Sequence, residues 1–319
     1  MHPFRVVLAL CALIPAAVAA QTYPTKPVTI IVPYPPGGLI DLVARIIQPQ
    51  LGAELGQNVL IENRTGAGGN VGAEYVARAA ADGYTLLLGN PSLGISESLY
   101  PKLNYRPLQD FAYVGQYGKV PNVLVVHPSI PANNVKELVE HLKKNPGKYN
   151  YGSPGYGTSP QMSMELFKGI TNTFVVHIPF RGSGPAQAAI FANEIQMMFD
   201  NLPPQVPNIK AGKVRALAVT SLKRSVVFPD VPTLDEAGLK GYEVTAWFGL
   251  NAPAATSKEI VARLNQALNR TTSNADVREK LVSRGAEIVQ GSPEQYLAFV
   301  KSEYDKWGPV IKRAGIRPE

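Results

Sequence analysis

Val32-Pro33-Tyr34-Pro35-Pro36-Gly37-Gly38-Leu39-Ile40-Asp41 carries the chain from an apolar β-branched run, through a stiff proline turn and two glycines, into a helical pattern. Prolines donate no hydrogen bond but fix the path of the loop, while Gly37 and Gly38 let the backbone approach a ligand without side-chain obstruction. The N–H groups that open the following helix have no partner inside it, and the helix dipole adds partial positive charge at the same place. Such an end seats a carboxylate without lysine or arginine. The alternative is a plain strand-to-helix turn with Asp41 capping the first turn, and these residues alone leave both readings open.

On either side, short apolar runs alternate with longer helical patterns. Candidate strands are Val28–Val32, Val59–Glu62, Tyr84–Leu88, Asn122–His127, Phe174–Ile178, Ile195–Phe199 and Val214–Thr220. Helical periodicity covers Leu39–Leu55, Val71–Ala80, Val135–Lys144, Pro160–Phe167, Pro185–Ala192, Ser257–Ser273, Ala275–Arg284 and Pro293–Arg313. This order predicts an α/β fold with largely parallel sheets. In the first helix Leu42, Ile46, Leu51 and Leu55 are expected on the core face. The extended segments Phe111–Val126 and Val244–Ala252 look able to cross between two lobes. Residues 21–124 with 244–319 would then form a discontinuous first lobe, residues 125–243 the second, and a ligand cleft would lie between them. At 319 residues the chain suits two domains.

A second strand–glycine–helix passage, Tyr151-Gly152-Ser153-Pro154-Gly155-Tyr156-Gly157-Thr158-Ser159-Pro160-Gln161, repeats the first in the other half of the chain. Ser153, Thr158 and Ser159 offer hydroxyls, Tyr156 a wall, and Thr158 or Ser159 a helix cap. Two opposed helix beginnings would grip both ends of a diacid, or the carboxylate and far edge of a monoacid. A third glycine run, Asn63-Arg64-Thr65-Gly66-Ala67-Gly68-Gly69-Asn70-Val71-Gly72, fails the dinucleotide spacing because Val71 stands where the third glycine is needed, and it lacks a Gly-Lys-Ser/Thr ending. Arg181 would pair either a ligand carboxylate or a protein acid, and Asp200, ending a strand, would accept a bond from ligand or loop.

Composition narrows the function further. The net charge of +7 includes Arg5 and is dispersed, which suits an anionic ligand and argues against nucleic acid. Met1–Ala20, with Arg5, the apolar run Val6–Val18 and small residues at Ala17, Ala19 and Ala20, reads as an export signal cleaved near Ala20 or Gln21. An uncleaved anchor is the alternative, but the run is short for a membrane span and Pro15 interrupts it. The single cysteine, Cys11, lies within this leader, and Leu10 precedes it where a lipoprotein needs a small residue. Beyond the leader, His127, His141 and His177 show no metal-ligand spacing, and no Gly-x-Ser-x-Gly turn occurs. No catalytic residue, metal or cofactor is expected.

The ordered set Tyr23-Pro24, Pro27, Ile31-Val32-Pro33, Pro36-Gly37-Gly38 with Asp41 and Ala44-Arg45 continues through Glu62-Asn63-Arg64, Gly66-Ala67-Gly68-Gly69 and Asp82-Gly83-Tyr84-Thr85-Leu86. It extends through Tyr151-Gly152-Ser153-Pro154-Gly155, Phe180-Arg181-Gly182, Phe199-Asp200-Asn201 and Ala252-Pro253-Ala254. In these residues the chain resembles the Bug, or tripartite tricarboxylate transporter, family of periplasmic solute-binding proteins. The resemblance implies a two-lobed Venus-flytrap fold of type II-like architecture, a periplasmic location, a small carboxylate or dicarboxylate ligand and membrane permease subunits as partners. A monomer and no enzymatic activity are expected. It also implies that the loops matching Pro33–Asp41 and Gly152–Ser159 hold the carboxylate. The ligand-binding set is then Tyr34, Pro36, Gly37, Gly38, Ile40, Asn90, Ser92, Ser153, Tyr156, Gly157, Thr158, Ser159, Arg181, Asp200 and Phe248. Ile40 departs from the small or hydroxyl residue common in the family, and Gln161 from a histidine. With Tyr34, Tyr156 and Phe248, Ile40 points to a less polar acid, of phthalate type, over citrate. A ligand sensor feeding a signalling kinase and an uncharacterised periplasmic enzyme are the competing functions.

Overall fold

The computed structural model describes residues 23–318, so the export signal read above lies outside the described residues. In chain order the elements are β1 (Val28–Val32), α1 (Leu39–Leu55), β2 (Val59–Asn63), α2 (Asn70–Ala77), β3 (Thr85–Gly89), α3 (Ser92–Leu99), β4 (Phe111–Val126), α4 (Val135–Lys144), β5 (Asn150–Ser153) and α5 (Ser159–Thr171). They continue as β6 (Val176–Pro179), α6 (Ser183–Phe191), β7 (Met197–Asn201), α7 (Leu202–Lys210), β8 (Arg215–Val219), β9 (Thr245–Pro253), α8 (Lys258–Ser273), α9 (Ala275–Val282), β10 (Glu287–Ile288) and α10 (Pro293–Ala314).

β4 is the spine of the molecule. Its residues 111–121 pair antiparallel with β9, extending a sheet in which β2, β1 and β3 run parallel. From Asn122 onward the same strand pairs with β7 and β8, and β7 continues into parallel β5 and β6. The chain therefore changes sheet within one strand, between Pro121 and Asn122, and again near Val244 and Thr245. Thr220 holds the two crossings together. Its Oγ1 accepts the Asn122 N–H at 2.8 Å and donates to the Val244 carbonyl at 2.5 Å.

Each lobe has its own apolar interior. α1 buries Leu39, Val43, Ile47, Leu51 and Leu55, one residue every turn, against β1 and α8. Leu42 and Ile46, expected on that face, are only half-buried, because the stripe follows a four-residue step from Leu39. α10 does not stay in one lobe. Tyr296 and Val300 pack with Trp247 in the first, whereas Trp307, Val310 and Ile311 pack in the core of the second, where Ile95 and Leu99 of α3 also reach the α5 residues. Glu303, midway, accepts both indole N–H groups, from Trp247 at 3.3 Å and Trp307 at 3.1 Å.

Two helices escaped the periodicity. α3 is rich in serine and glycine, poor helix formers, and is held by burial of Leu93, Ile95 and Leu99. α7 contains Pro203, Pro204 and Pro207, but two of these sit in the first turn, where no intrahelical N–H is lost.

Candidate functional site

Parallel strands expose their carboxyl ends to one side, and both lobes place their glycine loops there. In the first lobe these are the turn after β1, the Gly66–Gly69 run after β2, and Asn90–Ser92 after β3. In the second they are the loops after β5, β6 and β7. Crevices outside strand carboxyl ends are where open α/β sheets bind ligands. The two rims touch in this structure. A Cβ on Gly68 would lie 2.9 Å from the Tyr156 carbonyl oxygen and 2.6 Å from the Tyr100 hydroxyl, and Gly68 has φ +65°, so only glycine fits.

The first loop is latched from beneath. Asp41 Oδ2 accepts the Gly37 N–H at 3.0 Å and Arg45 Nε at 2.9 Å, and Oδ1 accepts Asn63 Nδ2 at 3.0 Å. Burial pushes the Asp41 carboxyl up, but the hydrogen bonds from Arg45, Gly37 and Asn63 outweigh it and hold the group below the usual carboxylate range. Asp41 is therefore an ionised latch that curls the turn back onto its own helix. Gly38 is the N-cap of α1, and no side chain caps that end, so the first-turn amides have no partner among the described residues. Pro36 and Gly37 are exposed and Ile40 is half-buried beside them. Tyr34 donates to the Gly68 carbonyl at 3.0 Å and lies 3.4 Å from Asn90 Oδ1, tying all three first-lobe loops together. Asn90 Oδ1 also accepts the Ser92 N–H at 3.0 Å, and both residues are buried. Burial raises the Tyr34 phenol well above its usual range, so it stays a neutral donor.

The second loop differs. Thr158 caps α5 through Gln161 N and donates to the Gly155 carbonyl at 2.8 Å, while Gly157 N–H donates to Gln161 Oε1 at 2.7 Å. Ser153 Oγ sits 2.7 Å from His177 Nε2, and Ser159 Oγ reaches Asn122 Oδ1 at 3.4 Å. The hydroxyls of Ser153, Thr158 and Ser159 are thus engaged within their own lobe, and the α5 beginning is not the open counterpart of α1. Two helix starts described in this lobe lack a side-chain cap: that of α7, at Asn201, and that of α6, at Gly182, whose N–H donates to the Pro154 carbonyl at 3.0 Å. Ser183 at that start carries no conspicuous motif, which is why pattern reading passed over it.

His177 and Tyr156 form the floor of the second loop. The His177 ring stacks on Tyr151 at 4.6 Å and meets Tyr156 edge-on at 5.3 Å. Burial and the nearby Lys168 charge lower its pKa to about 4, leaving a neutral ring to partner Ser153.

Two residues of the expected set are taken up inside the protein. Phe248 is wholly buried in the first-lobe core, 5.0 Å from the Tyr117 ring, so it lines no cleft: its side of β9 faces the helices. Asp200 is wholly buried and accepts Ser183 Oγ at 3.0 Å, Gln187 and Gln205 side chains at 2.9 Å each, and Asn201 N–H at 2.9 Å. Burial pushes its carboxyl up, only partly offset by these donors, and its place is the junction of α6, α7 and β7. Arg181 is exposed on the loop after β6, at the rim itself, and forms no ion pair among the described residues. Nor do the described residues group three or more metal-ligating side chains, or include a helix long and apolar enough to cross a membrane.

Two α/β lobes on a shared strand, with glycine loops meeting at strand carboxyl ends, define a periplasmic solute-binding protein, a binder and not an enzyme. The structure of periplasmic binding protein BugD superposes with a TM-score of 0.85 at 35% identity, covering 93% of this chain and 100% of BugD. R. palustris Rpa4515 with adipate matches at TM-score 0.87 and 37% identity over 93% of this chain and 100% of its own. MatC from Rhodopseudomonas palustris with bound malate gives 0.84 and 35% over 91% and 100%. The model of the tripartite tricarboxylate transporter family receptor, TctC, matches residues 43–316, and the chain belongs to that family.

Proposed function

We propose that the protein captures a small dicarboxylate between its lobes and delivers it to the membrane subunits of a tripartite tricarboxylate-type transporter. The observation that carries this reading is the uncapped amino end of α1, set behind the Asp41 latch at the rim where Gly68 meets Tyr156. One carboxylate oxygen accepts from those amides, at a place of positive potential that needs no basic side chain. Closure of the second lobe then completes the donor set. The adipate and malate bound by Rpa4515 and MatC support an acid with two carboxylates. A phthalate-type diacid draws support from Ile40 and Tyr156, but none from Phe248, which belongs to the core.

Calorimetry with adipate, malate, terephthalate and citrate tests the reading. A diacid is expected to bind in the micromolar range, equivalent to about 8 kcal/mol. Tight binding of citrate alone, or of no diacid, overturns it. For the transport role, deletion of the gene is expected to stop uptake of the bound acid. Lost gene induction with uptake intact would reassign the protein to sensing.

A further inference from the structure

Gln161, the third residue of α5, is wholly buried. Its Oε1 accepts the Gly157 N–H at 2.7 Å. A backbone N–H only donates, so this contact settles which end of the amide is oxygen and turns Nε2 the other way. Among the described residues Nε2 has no acceptor. Its neighbours at the helix start are engaged, Thr158 Oγ1 with Gly155 and Ser159 Oγ with Asn122. The loop that holds the amide is itself wedged: Gly157 has φ +73°, and a Cβ there would lie 3.1 Å from Leu99 Cδ2 on α3. Nε2 is thus a fixed, dehydrated donor at the start of the helix that follows the second ligand loop. Buried donors are nearly always paired, so an orphan here calls for an acceptor brought from outside the fold.

We infer that Gln161 Nε2 is the specificity donor of the second lobe, hydrogen-bonded to an acceptor oxygen at the distal end of the captured diacid. The inference rests on the dicarboxylate reading above and adds to it the group that tells a diacid from a monoacid. The α1 amides take the proximal carboxylate, which both kinds of acid possess. A methyl terminus at the far end leaves Nε2 buried and unpaired, and sites built around a buried donor reject such analogues strongly.

Adipate and hexanoate, equal in carbon number and different in the second carboxylate, are the probes. Wild-type protein is expected to prefer adipate at least tenfold by calorimetry. Gln161→Glu keeps an acceptor for Gly157 N–H but replaces the donor with a charged oxygen. Gln161→Leu removes both. Either variant is expected to reduce the preference to about twofold or less, chiefly through weaker adipate binding. Gln161→His, which restores an N–H, is expected to recover part of it. A second readout needs no variant: the Gln161 side-chain amide resonance in 15N-labelled wild type is expected to shift with adipate and stay in place with hexanoate. An undiminished preference in folded Gln161→Glu, or an amide resonance indifferent to adipate, overturns the assignment while leaving diacid capture standing. Failure of the wild type to bind any dicarboxylate overturns both.

Discussion

His177 shows how one side chain under a ligand loop becomes a stability determinant. It is held neutral between Tyr151 and Tyr156 with its pKa lowered to about 4, against about 6.5 for a free side chain. Between these values the unfolded chain takes up the proton and the folded chain does not. The stability His177 contributes is therefore fully present above pH 6.5 and is lost as pH falls towards 4, by an amount on the order of 3 kcal/mol. Urea unfolding of wild type and His177→Gln at pH 7 and pH 4.5 measures it. Wild type is expected to lose more stability on acidification than the variant, and equal losses would remove His177 from the account. At the same scale, the pattern around Asp41 left a cap and a ligand neighbour both open. Three donors converging on its carboxylate make it a latch, information that resides in Asn63 and Arg45 rather than in the turn itself.

Among the elements, α1 and α5 begin alike in sequence and differently in fact. Both follow a strand and a glycine loop, yet α5 is closed by Thr158 and Gln161 while α1 is open behind Asp41. Removing the latch should be felt in both stability and binding. Asp41→Ala removes the charged acceptor shared by the Gly37 N–H, the Asn63 amide and Arg45, and a hydrogen bond to a charged group contributes about 1.5–3 kcal/mol. We expect a loss of about 2–4 kcal/mol by thermal or urea unfolding, and ligand affinity reduced at least tenfold because the turn no longer presents the α1 amides. Stability loss with unchanged affinity would show that the α1 end is not the seat. The long helical repeats and the α1 turn were legible because period and glycine placement are local. α3 was not, since Ser92, Gly94 and Ser96 favour no helix and Gly94 is selected by the approach of Glu303 on α10.

For the molecule as a whole, β4 and α10 tie the lobes together, so relative motion must be absorbed near Asn122, Thr220 and Val244. The rims meet where Gly68 admits the Tyr156 carbonyl, which makes that glycine a test of closure. Gly68→Ala adds a Cβ 2.6 Å from the Tyr100 hydroxyl oxygen and 2.9 Å from the Tyr156 oxygen. The variant is expected to fold with a penalty of about 1–2 kcal/mol for the positive φ. In the presence of ligand it should keep a larger radius of gyration by X-ray scattering and bind at least tenfold more weakly. Compaction identical to wild type would mean that closure does not use this contact.

The sequence by itself determined the alternation of strand and helix, the glycine turns that leave helix ends approachable, and a family resemblance spanning the chain from Tyr23 to Ala254. These rest on local periodicity and backbone freedom, which neighbours along the chain dictate. Only the tertiary structure decided which donors stay free. It buried Phe248 in a core, turned Ser153, Thr158 and Ser159 inward, and left the α1 amides and Gln161 Nε2 without partners among the described residues. Hydrogen-bond satisfaction depends on groups far apart in sequence, such as Asn122 for Ser159 and His177 for Ser153, so no local pattern can assign it.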